Sequence, residues 1–106
     1  MLAEHYTTRA RLRGFGARAG GITIGGAITD RPDLFAVALP LVPVSDLLRF
    51  EFSAAGPMNI PEFGSVKNPA EFRALLAVSP YHRTVDGTRY PAVLVSTAID
   101  DTSVAV

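Results

Sequence analysis

The sequence predicts an α/β fold: a short parallel sheet flanked by helices, in one domain spanning 1–106. Two apolar runs, Leu34–Val42 and Ala92–Thr97, follow turn residues and lack polar alternation. That pattern suits strands buried on both faces, as in parallel sheets. The elements alternate strand, helix, strand, helix, strand, which is the order of an α/β sandwich. At 106 residues with 48% hydrophobic content, the chain has enough apolar material for one modest core and no second domain.

Taken in order, Met1–Tyr6 reads as the end of a helix and Thr7-Thr8 as a turn. Arg9–Arg13, with Leu12 as its one strong apolar residue, reads as a short strand. Gly14–Gly21 places four glycines in eight residues, the mark of a turn where backbone approaches something closely or adopts positive φ. Gly20–Thr29 is small and apolar. Each glycine costs about 1 kcal/mol in a helix relative to alanine, yet small residues are what a helix needs to lie tightly on a sheet. A buried helix is therefore expected, closed by Pro32, which disfavours helical backbone at Arg31.

Leu34–Val42 is the second strand, with Pro40 awkward inside it because proline supplies no ladder donor. Asp46–Phe50 starts a short helix, and Ser53–Phe63, holding Gly56, Pro57 and Pro61, is an ordered excursion or loop. Asn68-Pro69 is a capped helix start with proline in the first turn. The helix it opens carries Phe72, Leu75 and Leu76 on one face and stops before Ser79-Pro80. Val85–Thr88 is a turn, and Ala92–Thr97 is a second buried strand. Three strands leave two bare sheet edges.

Composition excludes several function classes. Ten basic and ten acidic side chains cancel, so no charge excess favours nucleic acid or an anionic membrane. There is no cysteine, hence no disulfide, thiol nucleophile or thiolate metal site. No apolar run reaches the ~18 residues of a membrane span. The N-terminus lacks the order of a secretory signal, which tilts the expected compartment towards the cytoplasm.

The chemistry, if any, centres on Gly14–Gly21. Gly16-Ala17-Arg18-Ala19-Gly20 has the frame of a nucleophile elbow, G-x-S-x-G, with arginine at the serine position. The same stretch fits the looser dinucleotide pattern G-x-G-x-x-A, with Arg18 at a helix start to hold a phosphate and Asp33 about where a ribose-binding acid falls. Against that pattern, the preceding strand is charged, and two further glycines follow as an elbow predicts. Ser45, Ser53, Ser65, Ser79, Ser96 and Ser103 lack any elbow context. His5 reads as solvated and His82 as a structural hydrogen-bonder rather than a base. Asp100 and Asp101 alone make no metal site, so neither a metal nor a cofactor is expected.

Five segments carry a resemblance to a known family: Arg31-Pro-Asp-Leu-Phe35, Asp46-Leu-Leu-Arg-Phe50, Pro61-Glu-Phe-Gly-Ser65, Ser79-Pro-Tyr-His82 and Thr88-Arg-Tyr-Pro-Ala-Val93. In order and spacing the chain resembles the catalytic α/β-hydrolase domain of the prolyl oligopeptidase family of serine peptidases, from about Glu4 to Val104. The resemblance implies a fragment of a three-layer sandwich and cleavage of peptide bonds next to proline. It places Arg18 on the nucleophile, Ala19 on the oxyanion N–H donor and Asp101 on the catalytic acid. Ser103 stands where the family usually has a substrate-gripping arginine, and Asn59 where it has a tryptophan that stacks on the substrate proline. Val44 and Val104 fall on apolar residues of the same pocket.

The family's histidine lies beyond the acid, past the last residue of this sequence, and neither His5 nor His82 matches it. A triad needs nucleophile, base and orienter together, and a guanidinium stays protonated near neutral pH. The resemblance therefore implies a chain inactive by itself, with a peptide substrate in the family and the remainder of a split peptidase as its partner. Two alternatives stand beside it: a non-catalytic folding or binding module, and an anion- or nucleotide-binding turn at Gly14–Gly21.

Overall fold

Gly14, Phe15 and Gly16 form part of a strand rather than the turn expected there, because parallel pairing with Ala38, Leu39 and Pro40 holds them extended. Strand β1 is Arg13–Ala17, and the expected strand Arg9–Arg13 supplies only its first residue. Arg9–Leu12 instead forms a turn in which the N–H groups of Arg11 and Leu12 both donate to Thr8 O. A computed structural model describes residues 1–104. In it β1 is followed by α1 (Gly20–Asp30), β2 (Val37–Leu41), α2 (Ile60–Phe63), α3 (Pro69–Val78), α4 (Pro80–Arg83) and β3 (Ala92–Val93). Met1–Tyr6 is a set of turns, not a helix end.

The sheet is parallel throughout, in the order β1-β2-β3. Gly14 and Gly16 pair with Ala38 and Pro40, and all four face α1. A methyl at Gly14 would already lie 3.3 Å from Ile24 Cδ1, so glycine here lets the helix settle onto the strand. Along α1 the glycines at i and i+4, Gly21 and Gly25, lie under Pro43 and Pro80 respectively; a methyl at Gly21 would come 2.6 Å from Pro43 Cα. Packing thus holds a helix that propensity disfavours. Its C-terminal turn is tied by Thr29 Oγ1 donating to Gly25 O and Gly26 O.

Pro40 explains why β3 is shorter than the expected Ala92–Thr97. The N–H groups of Ala92, Leu94 and Ser96 donate in turn to Ala36 O, Ala38 O and Pro40 O, so the β3-facing edge of β2 includes residue 40. Proline has no N–H to return at that rung. Regular pairing therefore stops at Val93 and resumes only as a bridge between Leu41 and Ser96. Val93, Leu94 and Val95 are also exposed rather than buried, because β3 is an edge strand.

The face opposite α1 carries Phe15, Leu39, Leu41 and Leu94, with Phe15 and Leu94 each 66% exposed. Parallel sheets are ordinarily covered on both faces; here one helical layer is present among the described residues, as a fragment of a three-layer sandwich requires. The core lies instead at the C-terminal end of the strands, where Val44, Leu47, Phe50, Leu75 and Val104 pack together. Phe63 closes edge-on against Phe50, with ring centroids 5.8 Å apart.

The helix α3 begins as expected: Asn68 Oδ1 accepts from the N–H groups of Ala70 and Glu71, and Pro69 is its first residue. Of its predicted apolar face only Leu75 is buried, since the core meets α3 on that side alone. The excursion Ser53–Phe63 contains a 3-10 turn, Gly56–Asn59, and α2. Glu51 is 8% exposed; its Oε2 accepts from Val66 N–H at 3.3 Å, while Oε1 has no partner among the described residues.

Candidate functional site

Loops at the C-terminal ends of parallel strands are where open α/β sheets place their sites. Three such loops meet here: Arg18-Ala19 after β1, Val42–Leu47 after β2, and Ala98–Val104 after β3. Arg18 sits at the apex between β1 and α1 with φ 53°. That left-handed backbone costs a non-glycine residue roughly 1–2 kcal/mol, so the neighbours must hold it. Arg18 N–H donates to Leu41 O at 3.1 Å, and Arg18 O accepts from Gly21 N–H at 2.9 Å and Val44 N–H at 3.1 Å. The turn is thus narrower than the Gly14–Gly21 span expected.

Glycine at 16 is required by close approach. A methyl there would fall on Gly20 O and lie 2.6 Å from Ile24 Cγ1. A methyl at Gly20, by contrast, would meet no heavy atom within 4 Å. The N–H of Ala19, at the start of α1, donates to no backbone or side-chain acceptor among the described residues.

Asp101 heads the loop after β3. Its Oδ1 accepts from Ser103 N–H at 2.8 Å and Val104 N–H at 2.9 Å. The Val104 N–H, then the Ser103 N–H, hold the carboxyl below the usual carboxylate range, and the nearby charge of Arg18 adds a smaller pull the same way. Residues 18 and 101 both lie in loops beyond the C-terminal ends of the parallel strands. Through the same loop, Val104 is seated in the core beside Val44.

The remaining candidates separate. Val44 is buried and borders a cavity of about 300 Å³ whose wall also includes Asp46, Arg49, Phe50, Tyr81 and Thr97. Asn59 turns inward on its own 3-10 turn, its Nδ2 donating to Ala55 O at 2.9 Å. Ser103 is exposed. Asp33 is occupied by Arg31, whose Nε and Nη2 donate to its two oxygens at 2.8 and 2.9 Å, with Arg9 Nη1 at 3.3 Å. A carboxylate so engaged is not offered to a ribose.

Sequence reasoning missed Val42, whose φ of 40° is a strained value for a β-branched residue and whose N–H donates to Ser96 O at 2.6 Å. No local signal marks it. A second cluster imitates a triad: Ser79 Oγ lies 2.9 Å from His82 Nδ1, and Asp46 Oδ1 lies 3.8 Å from the same nitrogen. A working triad uses opposite ring nitrogens for serine and acid. Here both converge on Nδ1, and Ser79 is fully buried. His82 is a structural hydrogen-bonder, as its sequence context suggests.

Comparisons with known proteins bear on the family and the fold. The profile of the prolyl oligopeptidase family matches residues 1–106. The chain is 36% identical over 97 residues to a prolyl endopeptidase of Elizabethkingia meningoseptica, covering 91% of this chain and 14% of that protein. It is 31% identical over 102 residues to a prolyl endopeptidase of Dictyostelium discoideum, covering 95% and 13%. Among solved structures, a prolyl endopeptidase at 41% identity superposes with a TM-score of 0.93 over 98% of this chain and 15% of its own. Prolyl oligopeptidase B from Galerina marginata, at 30% identity, gives 0.91 over 98% and 15%. The chain thus spans about one-seventh of the length of these relatives.

Proposed function

Because the chain belongs to the prolyl oligopeptidase family, we propose that it is a segment of a peptidase catalytic domain, from elbow strand to acid loop, that keeps the frame of the serine site without its nucleophile. The observation that carries this reading is Arg18 itself: a non-glycine residue at φ 53°, on the turn from β1 to α1, behind a glycine that nothing larger can replace.

In the family reaction a serine hydroxyl at this apex attacks a peptide carbonyl next to proline. The oxyanion then takes the N–H after the nucleophile, and a histidine oriented by the acid moves the proton. Ala19 N–H and the Asp101 carboxylate stand in those supporting positions. A guanidinium has no electron pair to offer at neutral pH, so acyl transfer has no first step. His82, the one histidine near these loops, is committed to Ser79. Val44, Asn59, Ser103 and Val104 are the proposed substrate-pocket positions, of which Asn59 and Ser103 have lost the family's stacking and carbonyl-gripping side chains.

On this reading Arg18 makes the segment non-catalytic, and the remainder of a peptidase-type domain is what packs on the face that carries Phe15, Leu39, Leu41 and Leu94, where Phe15 and Leu94 are each 66% exposed. The test is turnover of a Gly-Pro chromogenic substrate, with labelling by a serine-directed phosphonate. We expect neither from the chain nor from Arg18→Ser, since His82 is held by Ser79 and serves no base role at the apex. Turnover by the unaltered chain that disappears in Arg18→Ala would refute the reading.

A further inference from the structure

The elbow's strained residue is held through Val44 N–H, and Val44 precedes a segment gripped from an unexpected direction. Tyr81 N–H donates to Ser45 O at 3.0 Å. Leu47 N–H donates to Ser79 Oγ at 3.1 Å, and Ser79 Oγ lies 3.3 Å from Ser45 O. Ser79, with no exposed surface, therefore touches the post-β2 segment at two points more than thirty residues away in sequence. Its hydroxyl also contacts His82 Nδ1 at 2.9 Å.

We propose that Ser79 and His82 form a positioning clamp for the elbow, in which His82 Nδ1–H donates to Ser79 Oγ so that the hydroxyl proton is free to hold Ser45 O. A hydroxyl has one proton and two lone pairs. The arrangement uses all three: it accepts from Leu47 N–H and from Nδ1–H, and it donates to Ser45 O. With the proton on Nε2 instead, the hydroxyl would donate to Nδ1 and release Ser45 O, leaving that carbonyl with Tyr81 N–H alone. The carboxylate of Asp46, 3.8 Å from Nδ1, favours the first arrangement, because it attracts a proton on that nitrogen. Asp46 is itself fixed by Leu48 N–H and Arg49 N–H. Arg49 also reaches Asp46 Oδ2 at 3.4 Å and stands over Tyr81, while Arg83 on the same short helix is turned to Asp30 on α1. No cation among the described residues therefore competes for Nδ1.

The clamp is a positioning device, since neither residue touches the apex. Its effect passes from Ser79 to Ser45, and from the adjoining Val44 N–H to Arg18 O. It is independent of whether the chain cleaves peptides.

The experiment has two parts on the isotope-labelled chain. Ring nitrogen NMR reads the tautomer of His82 directly, and a protonated Nδ1 is expected. Amide hydrogen exchange is then compared for His82→Asn, His82→Gln and Ser79→Ala. The asparagine amide nitrogen falls close to the position of Nδ1 and keeps the donor; the glutamine nitrogen falls near Nε2 and does not. We expect His82→Asn to retain slow exchange at Val44 and Arg18. In His82→Gln and Ser79→Ala both amides should exchange about five- to tenfold faster, the loss of roughly one hydrogen bond. An unprotonated Nδ1, a glutamine variant as protected as the asparagine one, or changes confined to Leu47 would overturn the proposal. The tautomer measurement needs no variant, so it decides even where Ser79→Ala fails to fold.

Discussion

Replacing Gly16 and Gly20 by alanine, one at a time, separates two readings of the elbow. The motif treats its two glycines alike, whereas the geometry does not. At Gly16 the new methyl would fall on Gly20 O, with Gly20 C at 2.7 Å and Ile24 Cγ1 at 2.6 Å. Backbone cannot yield as a side-chain tip can, and β1 is pinned to β2 along its whole length. Overpacking against main chain should cost about 3 kcal/mol. At Gly20 a methyl meets nothing within 4 Å, and the residue is already helical. Alanine there should stabilise by about 0.5 kcal/mol, through propensity and a less mobile unfolded chain. A domain of this size shifts its melting temperature by roughly 4–8 °C per kcal/mol. Gly16→Ala should therefore melt on the order of 12 °C or more below the parent chain, and Gly20→Ala about 2–4 °C above it, followed by far-UV circular dichroism in one buffer. The reasoning fails if Gly16→Ala melts with the parent chain, or if Gly20→Ala falls as far as Gly16→Ala.

Two other outcomes follow from buried and paired carboxylates. Glu51→Gln replaces a buried carboxyl group whose Oε1 has no partner among the described residues, while leaving an oxygen for Val66 N–H. It should raise stability by about 1 kcal/mol in urea denaturation, and a loss of similar size would show that the carboxylate is needed. Asp33 is held at a pKa of about 2, below its ordinary 3.8, chiefly by the hydrogen bond from Arg31. Its folded-state value is depressed, so its contribution is complete above the ordinary value and is lost as pH falls through about 4 to 2. Denaturation midpoints at about pH 5 and about pH 2.5 should converge in Asp33→Asn relative to the parent chain, and an unchanged difference would rule this carboxylate out as a source of the acid sensitivity.

Much of the layout is legible in the sequence because local chemistry decides it. Asn68-Pro69 caps a helix wherever it falls, and the glycines that make α1 a poor helix in isolation also announce its tight seat. Pro40 is legible as awkward, but its consequence is not. Only the ladder shows that the missing N–H faces β3 and cuts that strand to two residues with a separate bridge at Ser96. The glycines of β1 read as turn residues because period two over three residues is too short to distinguish strand from loop. Residues 18 and 101 are assigned through resemblance, and their lying at the same end of the sheet depends on parallel register. Val42 and the Ser79 clamp have no local signature at all.

The sequence by itself determined the α/β class, the family and an arginine on the glycine-rich turn, since each rests on residue identity and order along the chain. Tertiary structure alone decided which glycine the turn after β1 needs, where Phe15 and Leu94 are left uncovered, and that His82 lies against Ser79. Those outcomes depend on contacts between segments tens of residues apart, whose free energies are set by distance and burial and are invisible to any window along the chain.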